Sequence, residues 1–179
     1  MPDPKRRKIT EYTDVEKPFL DELALLGWTV IDGEVAGTKF YPENSLRENF
    51  QQVVIEQELE EALLRINSWL EPDQLEEVKR QVVHPEGRGL QEKNDFLHHL
   101  WRECSSVSEN RQTGEKSPNV RLIDFGNPEN NSFLAISQYQ LKVPGQQKHI
   151  IPDIVLFING IPVVAVSYTH LTLPTTPYV

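Results

Sequence analysis

The sequence predicts an α/β domain: a sheet interrupted, along the chain, by a helical insert. Three observations predict it. A helix-spaced apolar segment near the N-terminus runs straight into a short β-type stretch. Residues 45–104 then read as successive helices. From Val120 onward the pattern changes to short strands, and the last two are joined by Asn159-Gly160, a strong hairpin signal.

Thr13 or Asp14 is placed to cap a helix that has Pro18 in its first turn, where proline is tolerated. Phe19, Leu20, Leu23 and Leu26 keep helical spacing and Gly27 ends it. Trp28–Ile31 is a β-type run closed by Asp32-Gly33. Ser45–Leu70 reads as one or two helices, with Leu46, Phe50, Val53 and Val54 on one apolar face and Leu59, Ala62, Leu63 and Ile66 on another. Its acidic run (Glu56, Glu58, Glu60, Glu61) reads as a solvated face. Further helices are expected from Pro72 to about Val83 and from Leu90 to Glu103, with Trp101 inward; Trp28 is likewise expected in the core. A polar loop spans 105–118. Strands are expected at Val120–Asp124, Phe133–Tyr139, Ile150–Ile158 and Ile161–Val166, the last three as an antiparallel meander.

At 179 residues, with 38% hydrophobic and 25% charged residues, the chain suits a folded soluble protein. No apolar run reaches membrane-span length, and no signal-peptide core follows Lys5, Arg6, Arg7 and Lys8. The expectation is therefore a cytoplasmic protein without membrane contact. A single cysteine, Cys104, excludes an intrachain disulfide framework and a Cys-rich zinc site, and has no evident basic partner to activate it. The net charge of -9 argues against a protein that grips nucleic acid unaided through its phosphates. Residues 1–13 read as a basic arm. After Ile154 no Asp, Glu, Lys or Arg occurs, and 167–179 (S-Y-T-H-L-T-L-P-T-T-P-Y-V), with prolines at 174 and 177, reads as a non-native or disordered tail.

The chemistry concentrates in the last hairpin. Asp153 is a lone carboxylate at the head of an apolar strand. Such a group either caps or pairs at a sheet edge or binds a metal. A two-residue turn pairs Ile158 with Ile161 and sets Asp153 opposite Val166. Pro162 cannot donate to the ladder, so a bulge is the alternative, and one extra residue sets Asp153 opposite 167. Side chains at 167 and 169 share a face. A carboxylate at 167 and a lysine at 169 would converge on Asp153, two carboxylates could hold Mg2+, and the lysine could orient water. The residues there are Ser167 and Thr169, which supply neither group. The neighbouring pair His98-His99 is poor bidentate geometry on a helix. Gln138, Tyr139 and Gln140 lie on a strand that could border the site, where edge hydrogen bonding is their expected role.

Three segments carry a family resemblance: E-Y-T-D-V-E-K-P-F-L-D-E-L-A-L-L-G-W (11–28), R-L-I-D-F-G-N-P-E-N-N-S-F-L-A-I-S-Q-Y (121–139) and P-D-I-V-L-F-I-N-G-I-P-V-V-A-V (152–166). With them the chain resembles the N-terminal nuclease region of the restriction (R) subunit of type I restriction–modification enzymes, truncated. The resemblance implies a restriction-endonuclease-like (PD-(D/E)xK) core over 14–166, a helical insert at about 45–104 and an incomplete mixed sheet. It matches Asp153 to the first aspartate of a site that continues as Glu-x-Lys, expected at 167–169 and absent here. Glu16 looks like the helix carboxylate that many such nucleases set beside the metal; a solvated Glu favoured by the helix dipole is the equal alternative.

The implied parent activity is Mg2+-dependent cleavage of double-stranded DNA after ATP-driven translocation. Asp153, with Glu16, would be both catalytic and metal ligands. No phosphate-binding G-x-x-x-x-G-K-[S/T] occurs, so ATP belongs only to a motor outside this chain. The implied partners are double-stranded DNA and the modification and specificity subunits. The chain itself is expected to be inactive as a nuclease. Two alternatives remain: a non-catalytic interaction module, and a DNA repair or recombination nuclease of the same superfamily.

Overall fold

In the computed structural model, which describes residues 12–33, 41–103, 105–143 and 149–167, helix α1 (Lys17–Leu25) is preceded by one π-helical turn, Tyr12–Glu16. The α-helix proper starts later than the cap read from the sequence: Glu16 holds its N-cap position with helical dihedrals and no side-chain cap, and the Thr13 hydroxyl donates to Asp14. The C-terminus behaves as read. Gly27 takes φ +90°, its N–H donates to the Ala24 carbonyl, and the Trp28 N–H donates to that of Leu23. These two bonds satisfy the last carbonyls and turn the chain into β1 (Thr29–Ile31). Leu26 falls at the cap and is exposed, not inward.

Three helices follow: α2 (Glu56–Ile66), α3 (Pro72–Val83) and α4 (Leu90–Glu103). The helix expected to begin at Ser45 starts only at Glu56. Side chains capture the backbone in between. Gln52 Oε1 accepts the N–H groups of Glu48 and Asn49, Asn49 Oδ1 accepts that of Gln51, and Arg47 donates to the Gln52 carbonyl. Such local bonds compete directly with a helix. Leu59, Leu63, Leu75, Val78, Val82 and Leu100 bury the helices against one another. Of the acidic run, Glu60 is paired: Lys79 on α3 bridges it to Glu76. Trp28 and Trp101 are partly buried against the core clusters.

The polar 105–118 segment contains β2 (Ser105–Ser106), paired with β3 (Asn119–Val120). The strand expected at Val120–Asp124 stops after Val120. Asp124 draws the chain into a loop instead: its Oδ1 accepts the N–H groups of Gly126 and Asn127, and its Oδ2 accepts Asn130 Nδ2.

The main sheet has the order β1-β4-β7-β8, with β4 at Phe133–Ser137, β7 at Ile154–Ile158 and β8 at Ile161–Val166. β1 runs parallel to β4 and the other pairs are antiparallel, so the sheet is mixed. The long strand expected at 150–158 is broken: β5 (Leu141–Lys142) pairs with β6 (His149–Ile150) apart from the main sheet, and β7 begins after Asp153. Leu20 and Leu23 of α1 cover one face with Ala135 and Ile154. The other face carries Leu134, Ile136, Val155 and Phe157, packed with Ile55 at the head of α2. Among the described residues, no helix is long and apolar enough to cross a membrane.

Asn159 and Gly160 have φ +51° and +73°, the two positive angles of a type I′ turn. The turn is buried. Asn159 Nδ2 donates to the Leu122 carbonyl at 2.8 Å, its Oδ1 accepts the Ser132 N–H at 2.8 Å, and the Gly160 carbonyl accepts the Ile55 N–H at 2.9 Å. A side chain at 160 has no room: a Cβ would lie 2.3 Å from the Ile55 carbonyl oxygen. We expect Gly160→Ala to destabilise the protein by roughly 3 kcal/mol, from left-handed strain plus the clash. In urea unfolding the midpoint should fall at an unchanged slope; an unshifted midpoint would refute the tight docking.

Candidate functional site

Strand directions gather the polar residues at one end of the sheet. β1 and β4 are parallel and both end there, β7 begins there and β8 ends there. Ser137 is the last residue of β4, and Asp32, Gln138, Asp153 and Ser167 follow or precede those strand ends. The Asn159-Gly160 turn is at the opposite end.

The two-residue turn and the bulge occur together, so the pairing of Asp153 with Val166 expected for a plain two-residue turn does not form and the register of the bulge alternative does. The turn has two residues, with Ile158 paired to Ile161. A bulge leaves Val163 unpaired, between Leu156↔Val164 and Phe157↔Pro162. Ile154 therefore pairs with Val166, and one step outward sets Asp153 across from Ser167. Pro162 explains the irregularity, since it has no N–H to give the ladder.

Asp153 is 7% exposed and Glu16 is 4% exposed. Burying a carboxylate is expensive unless hydrogen bonds, opposite charge or a metal ion compensate it. One residue touches both segments. The Gln138 N–H donates to the Asp153 carbonyl at 2.7 Å, and its side-chain Nε2 donates to Glu16 Oε2 at 3.3 Å. Glu16 sits at the helix N-terminus, where the dipole favours a negative charge, and the π-helical turn that carries it is a form often found at functional sites.

A third carboxylate was read from sequence only as part of a turn. Asp32 follows β1, and both its oxygens are held: the Tyr12 hydroxyl donates to Oδ2 at 2.5 Å and the Ser137 hydroxyl to Oδ1 at 3.0 Å. Tyr12 and Ser137 thereby tie the Glu16-bearing turn to the end of β4. Only the parallel β1–β4 pairing brings Asp32 here, and that pairing leaves no local sequence signal.

The donor set is oxygen only, which suits a hard divalent cation such as Mg2+. That ion takes one or two protein carboxylates and keeps several waters. Asp153 and Glu16 are buried oxygen donors of that type. Among the described residues no three His, Cys, Asp or Glu side chains form a metal-holding group by themselves. His98 stacks on Trp101 instead, with ring centroids 5.1 Å apart. Cys104, Thr169, the arm through residue 11 and the tail from 168 lie outside the described residues. An open hollow of about 620 Å³ is lined by Glu56, Glu76, Lys79 and His84 of the helical insert and includes none of the sheet-end residues.

Residues 8–166 match the family described as the type I restriction enzyme R protein N terminus. The chain is 28% identical over 151 residues to the type I restriction enzyme HindI endonuclease subunit of Haemophilus influenzae, covering 84% of this chain and 14% of that protein. It is 27% identical over 158 residues to the putative type I restriction enzyme MjaIXP endonuclease subunit of Methanocaldococcus jannaschii, covering 87% and 15%. The putative MjaVIIIP endonuclease subunit of the same organism is 29% identical over 170 residues, covering 93% and 14%. The chain thus spans only about a seventh of the length of these relatives.

Behind the site, Arg47 braces the segment that follows β4. Its guanidinium lies 3.7 Å from the Tyr139 ring centroid and donates to the carbonyls of Gln52 and Gln140. Tyr139 packs edge-on against Phe157 and donates its hydroxyl to the Val53 carbonyl at 3.1 Å. Burial, partly countered by Arg47, pushes the Tyr139 phenol up from 10.0 to about 12. In that window the unfolded chain ionises Tyr139 and the folded chain does not, so stability is lost as pH rises from 10 towards 12. We expect Tyr139→Phe to cost about 1 kcal/mol at neutral pH. The gap between the two proteins should narrow above pH 10 in urea titrations; a constant gap would show that Tyr139 does not titrate there.

Proposed function

Since the chain belongs to the type I restriction enzyme R protein N-terminal family, we propose that it is the nuclease region of a restriction subunit, built on a restriction-endonuclease-like core over 14–166. The observation that carries this reading is the buried Asp153 at the head of β7, set across from position 167 by the Val163 bulge. That is where a second carboxylate of a nuclease site belongs. The full-length protein would cleave double-stranded DNA with Mg2+ after ATP-driven translocation by a motor region outside this chain. It would act in the cytoplasm with modification and specificity subunits that supply sequence recognition, consistent with a nuclease piece of net charge -9.

Asp153 and Glu16 would hold the ion. When bound, Mg2+ supplies an activated water and charge stabilisation on the phosphate oxygens. Asp153 supplies a fixed oxygen ligand from the sheet, and Glu16 a second from the helix N-terminus. The Ser167 hydroxyl replaces neither a carboxylate nor its charge, and Thr169 carries no ammonium to polarise water. This chain is therefore inactive as a nuclease although its ancestry is that of one.

The test is plasmid nicking with Mg2+ or Mn2+. We expect no cleavage by the purified chain. Cleavage should appear in the Ser167→Glu, Thr169→Lys double variant and disappear again when Asp153→Ala is added. Robust nicking by the unaltered chain, lost in Asp153→Ala, would overturn the predicted inactivity. Silence of the restored variant despite a native melting temperature would count against the site assignment.

A further inference from the structure

β4 alternates strictly up to its last residues: Leu134 and Ile136 pack on the insert-side face with Val155 and Phe157, and Ala135 packs on the α1 side with Leu20 and Leu23. One more extended residue would send Gln138 after Ile136, away from α1. Instead Gln138 takes φ +53°, in the left-handed region. The alternation is reset there. Tyr139, not Gln138, joins the insert-side cluster, and the Gln138 amide reaches Glu16 on the α1 side.

That conformation is disfavoured for a residue with a Cβ, and a plain turn would favour Gly or Asn. It persists because the neighbours determine it. The N–H groups of Gln138 and Tyr139 are tied to the carbonyls of Asp153 and Pro152, and Arg47 holds the Gln140 carbonyl and the Tyr139 ring. A strained residue held this firmly beside two buried carboxylates points to function.

We infer that Gln138 is a positioning residue: its left-handed turn aims the side-chain amide at Glu16 while its backbone N–H fixes the chain at Asp153, so that one residue sets the two carboxylates of the metal site relative to each other. This rests on the metal-site reading above. Gln138 acts on the ion only through Glu16 and the Asp153 backbone, as residues that orient metal ligands do.

The experiment is a Mn2+ titration of the purified chain, followed by the electron paramagnetic resonance of the free ion. The proteins are wild type, Asp153→Ala, Gln138→Gly, Glu16→Gln and the Gln138→Gly, Glu16→Gln double variant. Gln138→Gly suits the left-handed turn and removes the side chain with its amide, so its melting temperature should match or exceed wild type. Its Mn2+ affinity should nevertheless fall about tenfold. In the Glu16→Gln background the same change should add less than about twofold, because the amide acts through that carboxylate. A Gln138→Gly protein that binds like wild type, while Asp153→Ala abolishes binding, overturns this inference and leaves the metal site standing. Losses that multiply in full in the double variant also overturn it. If wild type shows no Asp153-dependent binding at all, the metal site falls and the role of Gln138 falls with it.

Discussion

Asn159 and Gly160 form a turn of the kind usually found at the tip of an exposed hairpin, yet both are buried. Asn159 donates to Leu122 and Asn131 and accepts from Ser132, and Gly160 accepts the Ile55 N–H at the head of α2. The turn thus joins the sheet, the Asp124 loop and the helical insert at one point. Only a residue without a Cβ fits at 160, where the α2 backbone lies within bonding distance. Because Ile55 is both the acceptor's partner and a core residue under Leu134, Ile136 and Phe157, the contact also decides which sheet face the insert covers.

From this fixed end the register propagates to the other. Ile158 must pair with Ile161, and the bulge at Val163 shifts the outer half of β8 by one residue. Without it, Asp153 would oppose Val166 and an acid at 167 would project to the wrong face. Pro162, which weakens the ladder, is therefore part of what defines the site's geometry. The parallel β1–β4 pair adds Asp32 to the same end, and Tyr12 connects it to the turn bearing Glu16. Glu16, Ser137 and Asp153 are buried polar groups at this end, Asn159 is one at the other, and apolar packing fills the middle.

Arg47 stabilises this region through an aromatic ring, two carbonyls and a hydroxyl. Its guanidinium is buried against the Tyr139 ring and directed at two carbonyls and the Ser45 hydroxyl. Desolvation pulls its pKa down, but the Tyr139 contact opposes that. A planar guanidinium suits such a site better than a lysine ammonium, because it stacks and donates in several fixed directions at once.

Much of this was legible in the amino-acid sequence, because it depends on neighbours along the chain. Helical spacing marked α1, α3 and α4, Gly27 marked the end of α1, Asn159-Gly160 marked the hairpin, and Asp153 stood out as a charge heading an apolar strand. The bulge was foreseen as an alternative, since proline's missing N–H is a local property. What the sequence hid was of two kinds, local capture of the backbone by polar side chains and contacts between distant segments. Residues 46–54 carry a helix-like apolar pattern, but Gln52, Asn49 and Arg47 take their backbone groups out of a helix. Asp124 ends a strand that its apolar neighbours suggested. Asp32 joins the site, and Gln138 turns towards Glu16, only because β1 lies parallel to a strand a hundred residues later and the neighbours of Gln138 hold it left-handed. Local propensity determined the elements and the chemical types available; long-range hydrogen bonding and packing decided which of those groups meet, because backbone pairing across the sheet carries no trace in the residues next to it.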